Sequence, residues 1–68
     1  MLASQIHPGQ YATEIAGIKL DSLLVEDRRE RVIDGLSYVE ITLWSNNGMI
    51  TMTVSHEMPV MVAPVSPV

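Results

Sequence analysis

The 68-residue chain has no cysteine, few basic residues and no long apolar run. Without cysteine there are neither disulfide staples nor thiolate metal sites, which also fits a reducing compartment. The two histidines, His7 and His56, stand far apart with no cysteine partners, so a structural zinc has no support and no cofactor is expected. Four Lys and Arg against eight Asp and Glu leave a formal net charge of −4. A dedicated nucleic-acid binder carries a basic stripe instead, so nucleic acid is not an expected partner. No segment approaches the ~20 apolar residues of a membrane helix. The first residues also lack the basic run and apolar run of a secretory signal. The expectation is a cytoplasmic protein with no membrane role.

A chain this short forms one domain at most, and a domain of this size buries only about 60% of the surface its unfolded chain exposes. With no disulfide or metal to reinforce it, the remaining device is self-association. A homo-oligomer is therefore expected.

The clearest local pattern lies in residues 37–55, where two alternating runs flank Asn47-Gly48. An Asn-Gly pair suits a type I′ turn, since both residues tolerate positive φ and the turn matches strand twist. That turn would pair Asn46 with Met49, Trp44 with Thr51, Leu43 with Met52 and Ile41 with Val54. Val39, Ile41, Leu43, Met52 and Val54 then share one face; Tyr38, Glu40, Thr42, Trp44, Thr51 and Thr53 share the other. One register segregates both strands, as expected where one face is buried.

Upstream, Pro8-Gly9 marks a turn, Tyr11–Ile15 reads as a short strand closed by Ala16-Gly17, and Ile18–Val25 follows. A helix over Asp21–Ile33 is conceivable, with Asp21 as N-cap and Gly35 past its end. Its apolar residues cluster at 23–25 and 32–33, however, and Glu26–Arg31 is wholly polar, which suits strand, loop and strand better. A two-residue turn at Asp34-Gly35 would pair Ile33 with Leu36 and set Arg28 and Glu30 against Ile41 and Val39 on the core face. The expectation is that Glu26–Arg31 leaves the ladder as a charged, self-neutralised loop. Such exposed pairs are worth less than about 1 kcal/mol each.

After the hairpin, His56-Glu57-Met58-Pro59 breaks the strand and Val60–Ala63 makes a last short one, apolar on both faces. A terminal strand of that kind calls for a covering partner. The domain is expected over residues 1–63, with an extended proline-containing tail over 64–68. Pro64 and Pro67 form a P-x-x-P spacing without a basic neighbour, which reads as a blunt end rather than a recognition ligand.

Asp34-Gly35, the Val39–Trp44 strand, Asn47-Gly48 and the Val60–Val62 ending together resemble the SH3-like or Sm-like barrels. The chain also looks like the small orphan proteins that actinobacterial viruses encode in numbers. The fold this implies is all-β, a small five-stranded SH3-like half-open barrel with a central Asn-Gly hairpin. The function it implies is a non-catalytic accessory protein acting on a host factor. The resemblance brings no binding residues with it, since no diagnostic motif is matched.

Candidate sites follow from the residues. Tyr38, Trp44 and Met49, outward on the hairpin, could anchor a partner as aromatic hot spots do. They could equally pack under another segment. Val60, Met61 and Val62 complete the expected partner or oligomer interface. Arg28, Arg29 and Arg31 could grip a carboxylate or phosphate, although the flanking acids favour a neutralised loop. His56 and Glu57, adjacent in an extended segment, point to opposite faces and form no dyad. Ser37, Ser45 and Ser55 lack a paired base, and no phosphate-binding glycine loop exists, so no catalytic set can be assembled. The methionines read as gap-fillers. The reading is a non-enzymatic, self-associating protein-interaction module. Its alternative is an oligomer that binds a small molecule or nucleotide between subunits.

Overall fold

The computed structural model describes residues 1–64. Residues 65–68 of the expected tail, with Pro67, lie outside the described residues. The chain is all-β: β1 (Tyr11–Ile15), β2 (Ile18–Ile33), β3 (Leu36–Ser45), β4 (Gly48–Ser55) and β5 (Val60–Val62), after a 3-10 turn at Ala3–Gln5. The strands form one antiparallel sheet in the order β4-β3-β2-β1-β5, and the sheet does not close.

The long β2 serves two neighbours, pairing with β1 over its first part and with β3 from Leu24 onward. Bulges allow this bend. Ser22 sits at φ 54°, and Glu26 is an extra residue between the Val25↔Leu43 and Asp27↔Thr42 pairs. Beyond Glu26 the strand continues to Ile33, which corrects the expected charged loop at 26–31 and the alternative helix. The expected pairs Ile33↔Leu36, Arg28↔Ile41 and Glu30↔Val39 all form, inside an unbroken ladder. The turn residues allow it, with Asp34 at φ 50° and Gly35 at φ 79°, the left-handed pair a type I′ turn requires.

Arginine can stand on this face because its apolar stem covers the core while its charged end reaches out of it. The Arg28 guanidinium donates to the Ser4 carbonyl at 3.1 Å and to Glu30 at 3.3 Å. One acceptor comes from the N-terminal segment, which no pattern within β2 reveals, while the Arg28 Nε is buried without a partner among the described residues.

The hairpin between β3 and β4 is also corrected. Its ladder runs Ser45↔Gly48, Trp44↔Met49, Leu43↔Ile50 and Ile41↔Met52, so the turn lies at Asn46-Asn47. The register is displaced by two residues from the expected one. Gly48 alone, at φ 112°, takes positive φ. The Ser45 hydroxyl holds the corner, donating to the Gly48 carbonyl at 2.7 Å and accepting from the Asn47 N–H at 3.3 Å. A two-residue slip leaves each side chain on its face, so Val39, Ile41 and Leu43 are fully buried as the pattern demands.

The core joins these three to Val25, Ala12, Ile15, Val60, Ala3 and Ile6. Ala3 and Ile6 belong to the N-terminal segment, which lies along residues 56–60. The Ala3 N–H donates to the Met58 carbonyl at 2.8 Å and the Ser4 N–H to the His56 carbonyl at 3.2 Å. Val60 exchanges bonds with Met1: its N–H donates to the Met1 carbonyl at 2.8 Å, and the Met1 ammonium donates to its carbonyl at 3.0 Å. The chain's own first residues thus cover the backbone edge of the last strand and pack Ala3 and Ile6 into the core beside Val60, while its other face leaves Met61 exposed.

Candidate interaction surface

The face of the sheet opposite the core carries a row of apolar side chains. Successive pairings Tyr11↔Leu24, Leu24↔Trp44 and Trp44↔Met49 place these four residues side by side across β1, β2, β3 and β4. Directly paired residues hold their side chains about 5 Å apart on one face, so the row is contiguous. Tyr11, Trp44 and Met49 remain 50%, 54% and 56% exposed, and Leu24 is half-buried between them. A groove of about 510 Å³ opens along this end of the sheet, with Lys19, Asp21 and Asn46 among its polar walls beside Tyr11 and Trp44.

The structure brings together only part of the expected interface. Trp44 and Met49 are partners in the row. Tyr38 shares their face, but six residues along β3 from Trp44 it is roughly 20 Å away. There it lines a second groove of about 280 Å³ with Leu36, Ser55 and His56. Met61 is exposed but pairs with Glu14, beside a carboxylate rather than in the row. Val60 is a core residue at 1% exposure and Val62 packs against the core, which removes both from the expected interface. β5 has an inward face to fill, and Val60 and Val62 fill it.

The three arginines do not converge. Arg28 is on the core face, while Arg29 and Arg31 are on the outer one, since neighbours along a strand alternate. Each meets a carboxylate: Arg28 with Glu30 at 3.3 Å, Arg29 with Asp27 at 3.1 Å and Arg31 with Glu40 at 2.9 Å. Two of the three pairs lie within the run, as its self-neutralisation requires, whereas Arg31 is met by Glu40 from β3. His56 Nε2 lies 3.7 Å from Glu30 Oε1. Among the described residues no group of three His, Cys, Asp or Glu is placed to hold a metal ion. No helix among them is long and apolar enough to cross a membrane.

Two surfaces escaped the sequence reading. Tyr11 and Leu24 join the row through a β1–β2 register set by bulges, which no turn dipeptide announces. The tip of the β2–β3 hairpin exposes Val32, Ile33 and Leu36. Apolar residues there resemble a buried strand, and only the sheet's extent shows that the pair outruns its neighbours.

Fold and surface together define a small all-β protein built on one open sheet with an apolar row on its outer face. Comparison of the chain with protein-family models, with curated proteins and with solved structures finds no match.

Proposed function

We propose that this chain is a non-enzymatic, self-associating protein-interaction module, a viral accessory protein that acts on a host factor by docking it on the Trp44 row. The observation that carries the reading is the contiguity of Tyr11, Leu24, Trp44 and Met49 across four strands. Single exposed apolar residues are ordinary on protein surfaces, whereas a continuous apolar patch is characteristic of interaction sites. A tryptophan and a tyrosine in one row also match the residue types that dominate binding hot spots. We further read the open sheet as an SH3-like half-open barrel. Support for this comes from the meander β1 to β4, the short β5 returning beside β1, and the bulges that bend β2.

The test is an affinity pulldown from an actinobacterial lysate with the tagged chain and its Trp44→Ala variant. A host protein retained by the parent and lost by the variant, with the melting temperature little changed, is the expected result. A partner retained equally by Trp44→Ala removes the row from the proposal.

A further inference from the structure

The sheet has two edges, and they are treated differently. β5 is three residues long, and Met1 occupies both backbone groups of Val60. β4, the other edge, is eight residues long and carries no charge and no proline. Native proteins usually blunt an exposed edge with lysine, proline, a bulge or a covering segment, because its free backbone groups are a template for another strand. Among the described residues β4 shows none of these devices.

We propose that β4 is the self-association surface of this protein, joining two copies edge to edge in antiparallel fashion about a two-fold axis at Met52. This rests on the reading of the chain as self-associating and names the surface and register that do it.

The backbone geometry selects which residues can pair. The His56 N–H donates to the Ser37 carbonyl at 3.3 Å, continuing the β3–β4 register. Hydrogen-bonded and non-bonded pairs alternate along an antiparallel ladder. Hence Gly48, Ile50, Met52 and Val54 direct their backbone groups to β3, while Met49, Thr51 and Thr53 direct theirs outward. An axis at Met52 sets Thr51 against Thr53 of the second copy and Thr53 against its Thr51, so outward groups meet outward groups.

The side chains agree with that axis. Ile50-Thr51-Met52-Thr53-Val54 reads as the same pattern of residue classes in both directions. Ile50 would oppose Val54, Met52 would oppose its own copy, and the threonines would oppose each other on the outer face. Thr–Thr and apolar cross-strand pairs are among the stabilising ones. Ile50 is 43% exposed, and Met52 and Val54 are only half-buried, so the core side of β4 is incompletely covered in one chain. The second copy would supply that cover. Charge does not oppose this occupant at the contact: each chain carries −4, yet β4 itself is uncharged and a two-fold there brings no like charges face to face. The axis would turn two five-stranded sheets into one continuous sheet and leave the Trp44 row facing outward. An edge-to-edge contact lies at the small end of interface sizes, so micromolar rather than nanomolar self-affinity is expected.

The absence of cysteine makes the test direct. Met52→Cys places single thiols on a non-bonded cross-strand pair, whose Cα separation of about 4.5 Å suits a disulfide. Oxidised at micromolar concentration, this variant should yield a covalent dimer, and Thr51→Cys should not. Sedimentation of the full chain should show a concentration-dependent dimer. Thr51→Lys/Thr53→Lys, at two exposed positions, should weaken it about tenfold or more by setting lysine against lysine. Mixing that variant with Thr51→Glu/Thr53→Glu should restore a heterodimer. A dimer that ignores these charges and gives no Met52→Cys cross-link overturns the β4 surface while self-association stands. A chain monomeric at all concentrations overturns both. Cross-linking by Thr51→Cys instead of Met52→Cys overturns the axis, and mixed disulfides with other proteins alone assign the edge to a foreign strand.

Discussion

The two hairpins that share β3 carry similar turn signals and use them differently. In β2–β3, Asp34 and Gly35 are both left-handed and form the turn itself. In β3–β4, the glycine has moved one place past the turn, and Asn46-Asn47 make the corner with help from the Ser45 hydroxyl. The first hairpin is charged along β2 and gains its cover from the N-terminal segment. The second is uncharged along β4 and, among the described residues, keeps an open edge. The difference teaches that such a dipeptide locates a hairpin in both cases but centres the turn, and so sets the register, only at Asp34-Gly35. The observed ladder sets Leu43 against Ile50 and Trp44 against Met49. The expected one would have spent Trp44 on Thr51.

The sharpest break of the comparison is at the strand both hairpins share. Leu43 is fully buried at the centre of the core, and Leu43→Ala should cost about 2–5 kcal/mol of unfolding free energy by urea titration, enough to threaten so small a domain. The charged hairpin gives an intermediate effect. Arg28→Ala loses a bond to Ser4 and the cover of its stem, and should cost about 1–2 kcal/mol. Arg29→Ala, by contrast, removes an exposed ion pair with Asp27 and should stay within about 0.5 kcal/mol. If the run were a solvated loop, the two variants would melt alike. The smallest effects separate the two turn assignments. Gly48→Ala should cost about 1 kcal/mol for its left-handed φ, while Asn47→Ala should change stability by only a few tenths. A turn centred on Asn47-Gly48 predicts a substantial loss at both.

Much of the strand layout was legible because local chemistry and face patterning agree. Val39, Ile41 and Leu43 alternate cleanly with polar neighbours, and the structure buries all three. Asp34-Gly35 predicted the Ile33↔Leu36 closure and the register as far as Asp27↔Thr42, where the extra residue Glu26 shifts it. The consequence drawn from that register was mistaken, because a charge on a core face looks untenable until a distant acceptor is known. The Ser4 carbonyl, twenty-four residues away from Arg28, is that acceptor. The candidate surface was half legible: Trp44 and Met49 lie on a predicted outer face, but their neighbours Tyr11 and Leu24 depend on bulges in β2.

By itself, then, the sequence determined an all-β chain, the core face of β3 and the pairing of Arg28 and Arg29 with acids of their own run. Alternation and turn chemistry act over a few residues and need no partner. Tertiary structure alone decided three things: that the N-terminal segment covers Val60, that β2 runs unbroken through its charges, and that β4 is left as the open edge. The first and last depend on which distant segments meet through backbone hydrogen bonds, and the second on the Ser4 carbonyl reaching the Arg28 side chain. Every residue offers the same donor and acceptor for such bonds, so side-chain pattern leaves no mark of which strands will find each other.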